Sequence, residues 1–273
     1  MGSKRKLLSQ ILPLFPAKIG TFVDLFCGGC TVGLNVDASK VIFNDNLIYI
    51  IELYKTFCKL SKEQVLEHIE SRIKEFSLSK TNQEGYLSVR KLYNEKRNPL
   101  DLFVLLCYSF TNQIRFNNKH EFNQAFGMNA SHFSEHQKNN LGHFIDALHS
   151  KNCIFSALDF DKADLSKLTE NDFVYCDPPY LITCGSYNDG KRGFTGWDDK
   201  LELKLYKILG SLNERHIKFA FSNVMEHKGK ENTLLRNWIV ERKYKVCELE
   251  MQYSINRKGT GTVHSKEVLI INY

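Results

Sequence analysis

The sequence lacks an apolar run long enough to cross a bilayer as a helix, and it contains no internal repeat and no low-complexity segment. A helical membrane protein and a solenoid are thereby excluded. It also lacks the cysteine framework of a small secreted fold. Its eight cysteines lie mostly inside apolar segments, and a chain of 273 residues can bury a sizeable core without disulfide staples. A reducing cytoplasm is the expected compartment. Cys27 and Cys30 form a C-x-x-C, but a second C-x-x-C or an H-x-x-x-H to complete a tetrahedral zinc site is missing, so no metal is expected. Charge of one sign is only mildly in excess: a net +6 and a pI of about 8.8 suit a polyanionic partner without requiring one. The start, MGSKRKLLSQILPLFP, is basic and then mildly apolar. Its apolar part is broken by Ser9, Gln10 and Pro13, so it reads as part of the fold rather than as a signal peptide.

What is present is an ordinary globular composition, 42% hydrophobic and 25% charged, arranged as strand and helix signals around a helical block. TFVDLFCGG, Thr21 to Gly29, reads as a buried strand over Phe22 to Phe26 running into a Gly-Gly turn, with TVGLNV as the start of a helix. KVIFND, Lys40 to Asp45, is a second strand ending in an acid, and Asn46 to Leu60 has helical periodicity. Helices follow at Ser61 to Phe76, opened by the capping-box pattern S-K-E-Q, at Gln83 to Arg97, and from Asn98-Pro99 through Phe110. Thr111 to Phe133 is polar, amide-rich and aromatic and reads as a loop or short hairpin; Ser134 to Ser150 is again helical. From Asn152 strands alternate with helices: NCIFSALDF, DFVYCDPPY, a helix around Asp198 to Glu214, IKFAFSNV, a helix around Glu231 to Lys243, then KVCELEMQY and EVLIINY. The expected fold is therefore α/β, a Rossmann-like doubly wound sheet built from residues 1–55 and 152–273, with a mainly helical insertion over 56–151.

Three features carry chemistry. Small residues after a buried strand let backbone approach a ligand, and an acid at the tip of the next strand, Asp45, can accept ribose hydroxyls. Taken singly these are equally a tight strand-to-helix turn and a helix N-cap. The third is Asp177-Pro178-Pro179-Tyr180, again at the end of a buried strand. The prolines lack N–H donors, and Pro179 holds Pro178 extended, so the Pro178 carbonyl is left free beside the Asp177 carboxylate and the flat face of Tyr180. Two acceptors at that spacing suit an exocyclic amine on an aromatic ring, whose lone pair they localise for attack on an electrophile. Alone, the turn reads as a strand terminator with Asp177 as a cap; together with the Gly turn and the acid it favours the chemical reading.

FVDLFCGG with TVGLNV, FNDN, NQIRFN with FNQAFG, DPPY, FAFSNV with EHKGKENTLL, and NRKGTGTVHSKEVLIINY resemble, in family order over nearly the whole chain, the Dam-type, D12 class DNA adenine-N6 methyltransferases, particularly the phage members. The resemblance implies S-adenosylmethionine as cofactor. It places Asp24, Phe26, Cys27, Gly28 and Gly29 in its binding loop, Asp45 at its ribose, Asp177 to Tyr180 as the catalytic tetrapeptide and Asp177 also beside the cofactor. Lys4 matches the lysine of the N-terminal cofactor motif, although no aromatic precedes Gly2 here. Phe160 is read either as packing on the cofactor adenine or as core. The insertion becomes the DNA-recognition domain, with Asn112, Gln113, Arg115, Asn117, Asn118 and Asn129 reaching base edges and Lys96, Arg97 and Lys119 meeting phosphates. Asn256 and Arg257 fall where the family has a loop near the target nucleotide.

The implied partner is double-stranded DNA, bound by a monomer or weak dimer in a bacterial or phage-infected cell, with no membrane and no metal involved. The target adenine would be flipped out of the helix. The resemblance implies GATC as the site, or a relaxed version of it, since AFGMN follows FNQ where phage relatives carry a proline and basic residues. The rival readings are a cytosine-N4 methyltransferase, an inactive DNA-binding protein of the same fold, and a dehydrogenase, which has no use for DPPY.

Overall fold

A computed structural model describes residues 4–183, 196–250 and 265–273. In chain order its regular elements are α1 (Leu8–Ile11), β1 (Thr21–Asp24), β2 (Lys40–Asn44), α2 (Ile48–Lys59), α3 (Lys62–Glu75), α4 (Gln83–Lys96), α5 (Pro99–Tyr108), α6 (Glu135–His149), β3 (Cys153–Ser156), β4 (Phe173–Cys176), α7 (Asp199–Glu214), β5 (Lys218–His227), β6 (Lys230–Glu231), α8 (Thr233–Arg242), β7 (Lys245–Leu249) and β8 (Ser265–Ile271). Residues 47–155 form one compact unit and the other described residues a second, the boundary falling inside β3.

In the sheet unit the strand order is β3-β2-β1-β4-β5-β8-β7, with β6 paired to β5. β1 runs parallel to β2 and β4, and β4 parallel to β5, whereas β8 is antiparallel to β5 and β7. β4 and the first part of β5 are buried on both faces, which is why they read as continuous apolar runs instead of alternating ones. On one face Val174, Phe219 and Ile270 pack with Leu205 and Leu209 of α7 and Trp238 of α8, each fully buried side chain contributing about 1.5–3 kcal/mol. Elsewhere Phe15 of the N-terminal segment sits 4.8 Å from Phe173 and 5.7 Å from Phe22, ring centre to ring centre. The chain leaves β1 toward β2 on one side and later returns as β4 on the other. Such a switch point opens a crevice beyond the carboxyl ends of the two strands, where α/β sheets bind ligands. The Gly turn and Asp177 both lie at those ends.

One expected helix does not form. TVGLNV is a run of turns. The Gly33 N–H goes to the Asp24 carboxylate, at 3.2 Å, and Gly33 lies so close to β2 that a Cβ there would meet Phe43 at 2.4 Å. Both observations hold this segment against the sheet.

The helical unit is built around α5, whose buried residues extend around the helix and on which α2, α3 and α4 pack. α5 stops at Tyr108 rather than at Phe110 because Ser109 is extended, with φ −77° and ψ 154°. Its one buried acid, Asp101, accepts from His68 Nε2 at 2.7 Å and Arg72 Nε at 2.8 Å, both on α3. The caps read from the sequence are present: Ser61 and Ser134 each accept from the backbone N–H three residues on, and Gln64 and Gln137 return the bond, while Asn98 caps α5 ahead of Pro99. Replacing such a cap leaves a helix N–H unpaired. Ser61→Ala is expected to cost about 1 kcal/mol, read as a lower urea midpoint with an unchanged slope.

Candidate active site

The turn after β1 is held by backbone bonds to its neighbours: Leu25 N–H to Tyr175 O at 2.9 Å and Cys27 N–H to Asn44 O at 2.8 Å. Asn44 is buried and bolts the strand ends together, its Nδ2 donating to Leu25 O and Leu158 O at 3.1 and 3.0 Å while its Oδ1 accepts from Ser156 Oγ at 2.6 Å. At the tip, Gly28 has φ +46° and nothing within 4 Å of where a Cβ would stand. The glycine therefore serves a left-handed backbone beside open space. Its N–H donates to Asp45 Oδ2 at 2.9 Å, so the acid after β2 and the Gly turn face each other. Gly29 is exposed, while Cys27 and Cys30 are buried free thiols pushed up in pKa chiefly by burial. Among the described residues no cluster of His, Cys, Asp or Glu suits a metal ion.

Beside this turn stands an aromatic group that includes a residue the sequence reading missed. Phe26 and Phe160 lie 5.4 Å apart between ring centres, and Trp197 stands 5.7 Å from the first, edge-on, and 5.4 Å from the second. The Trp197 Nε1–H donates to Glu202 Oε2 at 2.5 Å, and Glu202, fully buried on α7, also accepts from Tyr206 OH and Asn223 Nδ2. Phe160 is thus part of the core cluster and of the aromatic group at once.

At the end of β4 four side chains converge. Asp177 Oδ1 accepts from the Tyr180 hydroxyl at 2.9 Å and lies 3.1 Å from the Lys4 ammonium. Glu267 Oε1 on β8 lies 2.5 Å from the same ammonium and 2.8 Å from the Tyr180 hydroxyl, and Lys4 also bonds that hydroxyl and stands 4.8 Å over the Tyr180 ring. Glu267 is the second residue the sequence reading missed. Burial raises the Asp177 pKa, Lys4 and Tyr180 oppose that shift and Glu267 adds to it. Burial would lower Lys4, but Asp177 and Glu267 outweigh it and hold the ammonium charged. Tyr180 is pushed well above the ordinary phenol range, first by burial and then by the two carboxylates, and stays protonated.

In the helical unit, residues 110–133 form no regular strand, only the antiparallel bridges Ser109–Phe126 and Phe116–Phe122. The segment is fixed to α4 by Asn94, which donates to Phe122 O and accepts from its N–H, and by Tyr86 OH to Gln124 O at 2.8 Å. Arg115, Asn118 and Lys119 are exposed around a shallow hollow of about 380 Å³. Asn117 shapes the turn, accepting from the Lys119 and Glu121 N–H groups, and Asn112 Nδ2 is bonded to Leu106 O. The Arg97 guanidinium donates to His120 O at 2.8 Å and lies over Tyr49 and Tyr93. Lys96 and Asn129 are exposed, Gln113 half-buried; Asn256 and Arg257 lie outside the described residues.

The model of the D12 class N6 adenine-specific DNA methyltransferases matches residues 1–255. The chain belongs to this family. It is 51% identical over 273 residues to the Type II methyltransferase M.FokI of Planomicrobium okeanokoites and 50% identical to the modification methylase StsI of Streptococcus sanguinis, covering 100% of this chain and 42% of each relative. It is 27% identical over 261 residues to the DNA adenine methylase of Escherichia coli K12, 93% of this chain and 87% of that one. The chain therefore spans about two fifths of the length of M.FokI and StsI. The mostly parallel sheet with flanking helices is consistent with a Rossmann-like methyltransferase fold, and the family implies a methyl donor and a DNA substrate. No helix among the described residues is long and apolar enough to cross a membrane.

Within this family member Asp24 has an unusual burden. It is 2% exposed beneath the Gly turn, and burial, helped by Asp177 and Asp45, raises its pKa from 3.8 to about 8 against the opposing Gly33 N–H. A carboxyl raised in the folded state favours folding fully below its unfolded value, and that advantage is lost as pH climbs toward the folded one. The parent should lose stability relative to Asp24→Asn as pH rises from about 4 to about 8. Urea midpoints of the two proteins across that range check it, and parallel curves would contradict the burial argument.

Proposed function

We propose that the protein methylates adenine N6 in double-stranded DNA, with S-adenosylmethionine as donor. The observation that carries this reading is the Asp177 carboxylate, held by Tyr180 and Lys4 at the end of β4 beside the switch point where the Gly turn also lies. The residues present fit the donor: open space at Gly28, the Asp45 acid facing it and the Phe26, Phe160 and Trp197 rings beside it suit a ribose and an adenine. Bound there, S-adenosylmethionine supplies a methyl group on a positively charged sulfur. Asp177 and the Pro178 carbonyl accept hydrogen bonds from the target amine, which localises its lone pair on the nitrogen. Tyr180 offers its ring to the extruded base, and extrusion is needed because the amine is stacked inside the duplex. Lys4 offsets the charge of one of the cluster's two carboxylates.

The helical unit is proposed to read the DNA. Arg115, exposed on a loop fixed to α4, has the fork geometry for a guanine edge, and Asn118 and Lys119 flank it. Arg97, Asn112 and Asn117 are engaged in holding the loop, so their contribution to DNA is through its shape. GATC or a relaxed version of it is the proposed site; its support comes from relatives of the DNA adenine methylase kind at 27% identity, not from M.FokI or StsI.

Methyl transfer to plasmid DNA by Asp177→Asn is expected to fall on the order of 10²-fold or more while calorimetry shows near-parental cofactor binding. Asp45→Ala should instead weaken cofactor binding more than it slows the saturated protein. Turnover near the parental level in Asp177→Asn would end the proposed role. For the target, Arg115→Ala should narrow the gap in methylation between GATC and its single-base variants, a contact worth about 1–3 kcal/mol; an equal loss on every site contradicts base reading.

A further inference from the structure

Glu267 is the third residue of β8, whose next residues Val268 to Ile271 are apolar and buried, and it is itself 3% exposed. A carboxylate in such a place costs several kcal/mol of desolvation unless it is paired. It pairs with Val224 of β5 in the sheet register, immediately before an irregularity between Val224 and Glu226. Bulges of this kind re-aim side chains and cluster beside active sites. From there one oxygen, Oε1, meets both the Lys4 ammonium and the Tyr180 hydroxyl, and it lies closer to Lys4, 2.5 Å, than Asp177 does, 3.1 Å.

We infer that Glu267 is a positioning residue for methyl transfer: it shares the Lys4 ammonium and the Tyr180 hydroxyl with Asp177, so that Asp177 keeps acceptor capacity for the incoming amine. The inference rests on the reading of Asp177 as the amine acceptor. Two carboxylates share one ammonium in this cluster. Without Glu267 the ammonium would have Asp177 as its remaining carboxylate partner among the described residues, and its N–H groups would compete with the target amine for the same oxygen. An ammonium and an amine are both nitrogen donors, so the competition is direct.

The titratable groups facing Asp177 are Lys4, Tyr180, Glu267, Tyr175 and Asp24. Of these Lys4 and the Tyr180 hydroxyl favour the ionised carboxylate, while Glu267 disfavours it. Removing the charge of Glu267 therefore lowers the pH at which Asp177 protonates. A merely structural role would not do this.

The test is single-turnover methylation at saturating cofactor and DNA, followed across pH, for the parent, Glu267→Gln and Asp177→Asn. Glu267→Gln leaves Lys4 and Asp177 as a neutral pair, so no buried charge is stranded and the fold is expected to hold; Glu267→Met, of similar volume, is read in the same way should the amide variant not fold. The expected result is a transfer rate lower by about tenfold or more, since misplacing a reacting group by about 1 Å costs up to about 10²-fold, with the acid limb displaced to lower pH. A rate within twofold of the parent, or a slower rate with the limb unmoved, overturns the inference. If Asp177→Asn still turns over, the acceptor reading itself fails. If Asp177→Asn is dead and Glu267→Gln is parental, only the role of Glu267 falls.

Discussion

Asp177 and Glu267 place two carboxylate oxygens around the single ammonium of Lys4, and the Tyr180 hydroxyl closes the cluster. Three segments far apart in sequence must meet for this to exist: the N-terminal residues, the end of β4 and the start of β8. Much of the sheet's order follows from that demand. β4 sits between β1 and β5, so its end opens on the crevice shared with the Gly turn, and β8 turns back antiparallel along β5 to bring Glu267 within reach. The pair of like charges is tolerable because the ammonium lies between them.

Much of this was legible in the sequence, for identifiable reasons. Strands buried on both faces are written as apolar runs, and the residues that end them, Gly28, Asp45 and Asp177, stand out because each breaks such a run with a special backbone or a charge. The Ser-x-x-Gln caps of α3 and α6 were readable because their partners lie three residues away. What was not legible depends on long-range partners. Glu267 looks like the polar first residue of an apolar strand until Lys4 and Tyr180 are placed beside it. Trp197 gains meaning only through Phe26, Phe160 and the buried Glu202.

The misread helix has the same origin. TVGLNV reads as a helix start by its position after the Gly turn, although Thr, Val, Gly and Asn are weak helix formers; a carboxylate from β1 takes the Gly33 N–H and Phe43 presses on that glycine. Arg97, read as a phosphate ligand by its charge, has further partners that only the fold supplies. In the structure it ends α4 in the left-handed conformation, with φ 56°, and spends its guanidinium on a carbonyl and two tyrosine rings.

The account stands or falls on what the end of β4 does to a DNA base. The most direct measurement is the identity of the modified nucleoside in plasmid DNA carried with this protein in a host free of DNA methylation, mapped to sequence by single-molecule reading. The account predicts N6-methyladenine at one short recurring motif, lost when Asp177 is replaced. N4-methylcytosine in its place, or DNA without N6-methyladenine, would contradict it.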